Sequence, residues 1–272
     1  MIMEKKLMTE IKAIFFDIDG TIRSFKTKTI PENTKNTLKK LKEQGIKIFI
    51  ATGRAPFHIK FLDELLDFEF DGYITINGQY CFLNNGEVLN NNMLSKEDIK
   101  NVLPYLKENN IACDFTLLEG AFINLKNERV QWLEKELGDS TRFVIDEYAY
   151  ENALKEKIYQ LNVFVGEDEE EELLKYMPNS KSARWTTHFT DVIPKNGGKN
   201  IGIDAIINYF GIKLEETMSF GDGGNDIDMI KHAGIGVAME NGRDDVKEVA
   251  DFITTSVDND GITNALKHFD IL

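Results

Sequence analysis

Three features of the 272-residue sequence predict an α/β fold, with a parallel-sheet core and an inserted α+β domain. Short apolar runs alternate with helix-length amphipathic stretches near the N-terminus, and the same alternation returns after Pro194. Between the two lie closely spaced strand signals mixed with helices. Strands separated by helix-length segments pair in parallel through right-handed crossovers, whereas runs of strands close antiparallel sheets. The expected organisation is a core from residues 1–84 and 192–272, with the insert at 85–191.

Met1–Glu10 carries lysines but no apolar stretch, so it reads as a loose tail and not as a secretory signal. Lys12–Phe16 is a short apolar run ending at Asp17, the pattern of a buried strand. Pro31 suits the first turn of a helix that carries Leu38 and Leu41 inward and stops at Gly45. Ile46–Ala51 is the next strand. Pro56 opens a second helix with Phe57, Phe61, Leu62 and Leu65 on one face. Tyr73–Ile76 is a third strand.

The turn pairs Asn77-Gly78 and Asn85-Gly86 bracket Gln79–Leu83 and argue for a hairpin. Ser95 and Asp98 form the start signal of a helix reaching about Asn109. Strands are expected at Ala112–Leu117, Ala121–Leu125, Gln160–Val165, Ser182–Thr186 and Phe189–Ile193. Helices are expected near Val130–Leu137 and after the acidic run Glu167–Glu172, whose carboxylates suit a helix's positive end. The returning core reads as helices Lys199–Phe210, Asn225–Lys231, Asp244–Val249 and Ile262–Phe269, alternating with strands Thr217–Phe220, Ile235–Met239 and Phe252–Thr254.

The formal charge is -14. That sign disfavours nucleic acid and anionic membrane surfaces as partners. It also repels an anionic substrate unless a cation reverses the field locally. Two cysteines, Cys81 and Cys113, are too few for a disulfide framework and suit buried free thiols in a reducing cytoplasm. No apolar run approaches the ~20 residues of a membrane span. A monomer or weak dimer with a small-molecule partner is expected.

Four constellations carry chemistry. Asp17-Ile18-Asp19-Gly20-Thr21 follows the first strand, and functional crevices form at the carboxyl ends of parallel strands. Alone, it also fits an ordinary acidic turn. Ala51-Thr52-Gly53-Arg54 places a hydroxyl and backbone N–H groups at a second strand end, where a phosphate oxygen can be held. Gly197-Gly198-Lys199 brings one lysine to a helix start, as a phosphate partner or a surface residue. Gly221-Asp222-Gly223-Gly224-Asn225-Asp226 ends a third strand with two acids on a flexible loop, a set suited to Mg²⁺. A dinucleotide loop is disfavoured because Asp226 replaces the last glycine and Asp222 would face the pyrophosphate. A calcium loop fails because Gly20 comes too early and no Glu closes it. Together the sites supply a nucleophile, a cation bridge and donors, the set that phosphoryl transfer requires.

The order FFDIDGT, ATGR, GGKNIGI and FGDGGND resembles the haloacid dehalogenase superfamily. The insert before the third motif resembles its Cof-type phosphatase branch, including bacterial sugar-phosphate phosphatases. The resemblance runs from Ile11 to Phe269 and implies a Rossmann-like core with the insert as a cap. It implies that Asp17 attacks phosphorus and that Asp19 serves as general acid and then base, with a raised pKa. It implies that Thr52, Gly53, the Ile18 backbone and Asn225 bind phosphate, and that Lys199 neutralises it and orients Asp17. Mg²⁺ would be held by Asp17, Asp222 and the Asp19 carbonyl, with Asp226 in support. Arg54 is expected to reach a substrate oxygen or to form a surface ion pair. A phosphomutase with the same intermediate, and a phospho-acceptor domain without catalysis, are the rival readings. His58, His188, His232 and His268 show no metal spacing. Trp132 and Trp185 suit packing, while Arg184, Trp185 or His188 lies close enough to the insert's end to face substrate.

Overall fold

A computed structural model describes residues 10–137 and 143–272. The expected tail therefore lies, apart from Glu10, outside the described residues. The described residues form an eight-stranded sheet and a five-stranded sheet.

The large sheet contains β1 (Ala13–Phe16), β2 (Lys47–Ala51), β3 (Gly72–Thr75), β4 (Tyr80–Leu83) and β5 (Val88–Asn91). The small sheet is built from β6 (Cys113–Thr116), β7 (Ala121–Ile123), β8 (Gln160–Val163), β9 (Ser180–Ala183) and β10 (Thr190–Pro194). The chain then returns to the large sheet through β11 (Thr217–Gly221), β12 (Ile235–Met239) and β13 (Phe252–Thr254). The large-sheet order is β13-β12-β11-β1-β2-β3-β4-β5. Pairing is parallel from β13 to β3, and β4 and β5 add an antiparallel edge. The small sheet, β7-β6-β8-β10-β9, is antiparallel throughout.

Successive side chains of a strand point to opposite faces, and both faces of β1 are buried. Ile14 and Phe16 join Ile48, Ile50 and Phe220 in one core layer, beneath Leu38, Ile262 and Leu266 of the covering helices. Ala13 and Phe15 join Phe49, Ala51 and Ile74 in the other, against Ile203 and Ile206 of the helix Lys199–Phe210. Phe15 stacks on Phe49 at 5.0 Å and Phe16 on Phe220 at 5.1 Å between ring centroids. This two-sided burial explains the unbroken apolar runs. The small sheet packs its own core, in which Ile99, Val102 and Leu106 of the helix Lys96–Glu108 meet Phe115, Leu161 and Val192. Ser95 caps that helix by accepting from the Asp98 amide, as its sequence signal predicts. Cys81 and Cys113 are buried free thiols. Among the described residues no helix is long and apolar enough to cross a membrane.

Local expectations fail in three places. The expected helix after Pro56 is a short 3₁₀ turn, Pro56–His58, then a single helical turn, Leu62–Leu65. Phe61, at the break, lies 5.4 and 5.2 Å from the Arg23 and Arg54 guanidiniums, a cation–π contact that competes with a continuous apolar stripe. Strand β5 is hidden in the sequence by asparagines, which are poor strand formers. Asn90 and Asn92 instead donate to the Gly78 carbonyl and the Gln79 side chain, and so tie the edge down. The helix Ala149–Lys155 buries only Ala149 and Ala153, too thin a stripe to be read as periodic. Because β5 pairs with the core and β10 with the small sheet, we propose insert bounds nearer 92 and 194 than 85 and 191.

Candidate active site

Strand β1 lies between β11 and β2. The chain first winds outward through β2 and β3, then returns on the other side through β11 to β13, so the switch of direction falls at β1 and β11. The three motif loops that leave these central strands therefore converge.

After Asp17 the backbone reverses, and the Ile18 carbonyl accepts from the amides of Thr21, Ile22 and Arg23. Ile18 buries its side chain in the core, so any phosphate contact it makes is through the backbone. Gly20 adopts φ +92°, and a Cβ there would lie 2.1 Å from an Asp222 carboxylate oxygen. Only glycine permits that approach. Thr21 Oγ1 donates to Asp222 at 2.8 Å, and Asn241 Nδ2 donates to the Gly20 carbonyl at 2.8 Å.

Lys199 is fully buried, with Nζ 2.6 Å from Asp17 Oδ1 and 2.5 Å from Asp226 Oδ1. Asp226 Oδ2 accepts from the Asp222 and Gly223 amides at 2.9 Å each. Asp226 thus fixes the lysine and its own loop at once. Burial pushes the Asp17 carboxyl up to about 7, with Lys199 opposing and Asp226 adding to the rise. Burial, then Asp17 and Asp226, pushes Asp222 well above the usual carboxylate range. Oxygens of Asp17, Asp222 and Asp226 lie within 4.8 Å of one another. Three crowded buried carboxylates facing one lysine form a hard-oxygen donor set that fits a divalent cation. Because Asp226 already accepts from three donors, Asp17 and Asp222 are the better-placed ligands.

Thr52 and Gly53 follow β2 beside this cluster, and Thr52 Oγ1 accepts from the Arg54 amide at 3.2 Å. Arg54 does form an ion pair, but a buried one. Its Nε lies 2.5 Å from Asp19 Oδ2 and its Nη2 3.0 Å from Oδ1, while Arg23 Nη1 is 2.9 Å from Oδ1. The expected rise in the Asp19 pKa is therefore corrected. Burial pushes Asp19 up, but Arg54 and then Arg23 outweigh it and hold the carboxyl below its usual range.

A cavity of about 360 Å³ lies over these loops, with the small sheet as its other wall. The insert's return segment packs onto the Asp222 loop. A Cβ on Gly223 would be 3.2 Å from Trp185 Cβ, and one on Gly224 2.3 Å from the Arg184 carbonyl oxygen. Of the three residues expected near the insert's end, Trp185 lines the cavity. Arg184 is tied to Glu170 at 2.6 Å and to the Thr186 and Phe189 carbonyls, while His188 stacks on Trp132.

Sequence reading missed the polar link between the sheets. Asn77 is fully buried and left-handed, with φ +50°. Its amide donates to Gln160 Oε1 at 2.9 Å and to Asp191 Oδ2 at 2.7 Å, and its Oδ1 accepts from Asn225 Nδ2 at 2.9 Å. In the sequence it registered only as a turn residue, and it does sit in the turn that joins the antiparallel strands β3 and β4. Asp114 and Asp191 were missed as well. Both line the cavity and are pushed up to about 7, chiefly by burial. A buried carboxyl with a raised value stabilises the fold fully below its unfolded value of about 3.9, and that contribution is lost as pH rises towards 7. Asp114→Asn should therefore gain about 2 kcal/mol relative to the native protein between pH 5 and pH 8. Urea unfolding at both pH values measures this, and a pH-independent difference would mean that Asp114 is ionised throughout.

The model of the haloacid dehalogenase-like hydrolase family matches residues 14–266. YkrA of Bacillus subtilis strain 168, provisionally named a phosphatase, is 37% identical over 96% of this chain and 98% of its own length. The solved structure of BT4131, described as a subclass IIB sugar phosphatase of this superfamily, is 41% identical, with a TM-score of 0.87 over 96% of this chain and all of that one. BT1666 of Bacteroides thetaiotaomicron, described among phosphatases of the superfamily, is 34% identical, with a TM-score of 0.87 over 100% and 99% of the two chains. With the motif loops converged at the sheet's switch point and the insert seated as a cap, the chain belongs to the haloacid dehalogenase-like hydrolases, in their phosphatase branch.

Proposed function

We propose that the protein hydrolyses small phosphomonoesters, with sugar phosphates as the class, through an aspartyl phosphate on Asp17. The observation that carries the reading is Lys199, buried between Asp17 and Asp226, two carboxylates that line the capped cavity. An Asp17 oxygen attacks phosphorus, the ester P–O bond breaks, and the leaving oxygen takes a proton from Asp19. Water then attacks the acyl phosphate, gives its proton to Asp19 and frees Asp17 and inorganic phosphate. Thr52, Gly53, the Ile18 backbone, Asn225 and Lys199 surround the position for the phosphoryl group. Asp17, Asp222 and the Asp19 carbonyl would hold Mg²⁺, which when bound supplies charge neutralisation at the phosphoryl oxygens. Preorganised cations matter here because positioning and electrostatics supply most of the catalysis in phosphoryl transfer.

Arg54 and Arg23 keep Asp19 ionised in the described state. Proton donation therefore belongs to a state in which Arg54 has released Asp19. Asp19→Asn should cut turnover of alkyl phosphates by about 10²–10⁴-fold. In the first step, read as the burst of leaving-group release, it should slow 4-nitrophenyl phosphate much less, because that leaving group needs no proton, whereas the second step loses its base with either ester. An equal loss on both substrates in that first step would remove Asp19 from acid catalysis. The function itself is tested by phosphate release from a panel of monoesters with Mg²⁺ or with EDTA. Release that persists in EDTA contradicts the metal dependence, and no release from any ester contradicts the function.

A further inference from the structure

The insert contributes one wall of the cavity, and that wall has two chemistries. Its polar part is the small sheet, where Asp114 and Thr116 on β6, Gln160 and Asn162 on β8 and Asp191 on β10 line the cavity. These side chains form a network among themselves. Thr116 Oγ1 donates to Asp114 Oδ2 at 3.0 Å, Gln160 Nε2 to Asn162 Oδ1 at 2.9 Å, and Asn77 bridges Gln160 and Asp191. The network uses one oxygen of each carboxylate. Asp114 Oδ1 and Asp191 Oδ1 have no hydrogen-bond partner, although the two residues are only 3% and 2% exposed. A buried carboxylate oxygen without a donor is costly, and a ligand that supplies the donor recovers that cost.

The apolar part is aromatic. Trp132, Phe143, Trp185 and Phe189 line the same cavity and pack as one cluster. The charge of the wall is one-sided. Its described charged residues from the insert are Asp114, Glu136 and Asp191, with no lysine or arginine among them. On the core side Arg54 is paired with Asp19 and Arg243 with Asp245. His58 is held neutral, pushed down to about 4 by burial and by Arg54. No described cation on the cap wall is placed to receive a second phosphate.

Resting on the phosphatase reading, we infer that Asp114 and Asp191 are specificity residues of the cap. They accept hydroxyl hydrogens from an uncharged polyol leaving group whose C–H face lies on the aromatic wall, and the described cap wall offers no cation to a leaving group that carries a second anion. Polar pockets discriminate strongly by this means, because an analogue lacking the hydroxyl leaves their buried groups unpaired. The Asn77 bridge ties this subsite to Asn225 and so sets its distance from the phosphoryl position.

The test is steady-state kinetics on alditol, hexose and pentose monophosphates, fructose 1,6-bisphosphate and 4-nitrophenyl phosphate. The proteins compared are the native chain, Asp114→Asn, Asp191→Asn and Asp17→Asn. In the native protein the best polyol monophosphate should exceed both 4-nitrophenyl phosphate and the bisphosphate in kcat/KM by at least about tenfold. Asp114→Asn should lower the ratio of polyol to 4-nitrophenyl turnover by about tenfold, and Asp191→Asn should move it in the same direction. A ratio unchanged in both variants, a preference for the bisphosphate, or 4-nitrophenyl phosphate as the best substrate overturns the inference while leaving the phosphatase standing. Absence of Asp17-dependent release from every ester overturns the phosphatase reading, and the inference with it. Thermal melts separate misfolding from lost recognition, because a folded Asp114→Asn with an unchanged ratio counts against the subsite.

Discussion

Asn in place of Asp17 is expected to lower kcat by at least about 10⁴-fold while the protein stays folded. A carboxamide oxygen is a far weaker nucleophile, and removing a nucleophile removes the covalent route altogether. The environment of Asp17 makes the fold's response predictable. Burial and the nearby Asp226 make the Asp17 charge costly, with Lys199 as the compensating cation. Neutralising Asp17 leaves Lys199 its second partner, Asp226, at 2.5 Å. Thermal stability should thus hold or rise, as it often does where an active site stores electrostatic strain. Affinity for a divalent cation should fall, because one carboxylate of the three-acid cluster is gone. Phosphate release, a melt and a metal titration on one preparation check all three outcomes. Turnover within tenfold of native would remove Asp17 from the nucleophile's role.

The second large effect is expected from Lys199→Met. The ammonium compensates Asp17 and Asp226 where solvent is absent. Burial alone would lower its pKa, but the two carboxylates outweigh that and raise it above the usual lysine value. Removing one partner of a buried ionic cluster costs about 3–5 kcal/mol, because the remaining charges stay buried and unpaired. The loss should depend on pH. Without the lysine, the carboxyls of Asp17 and Asp222 rise further above their unfolded values. An acid with a raised folded value loses its stabilising contribution as pH rises through that value. The variant should therefore be most damaged near pH 8 and partly recovered near pH 5, as read by urea unfolding. A divalent cation should also restore part of the stability. A deficit independent of both pH and cation would mean that Lys199 acts only through packing.

The strand–helix alternation was legible because both faces of the parallel sheet are buried, which leaves whole runs such as Ala13–Phe16 apolar. The same rule failed for Val88–Asn91, where side-chain amides rather than apolar contacts hold the edge. The four motifs were legible for a related reason. Three of them follow a core strand directly, so their position at the sheet's end is a local property of the chain, and the Lys199 motif opens a helix.

By itself, then, the sequence determined the α/β core with its insert, the strand-end positions of Asp17, Thr52 and Asp222, and an acidic site in need of a cation. Those features rest on periodicity and on residues adjacent to strands. Tertiary structure alone decided the rest. It set Lys199 against Asp17 across 182 residues, closed two arginines on Asp19, and joined Asn77 to Asp191 and Asn225. The Asp19 result has a simple cause. Its spacing from Asp17 shows that a carboxyl is present, whereas its charge depends on which cations are folded against it, and Arg54 arrives from the next strand. Asp114 and Asp191 were unreadable for the same reason. In the chain they are ordinary acids on strands, and only burial beside a cavity leaves an oxygen of each without a partner.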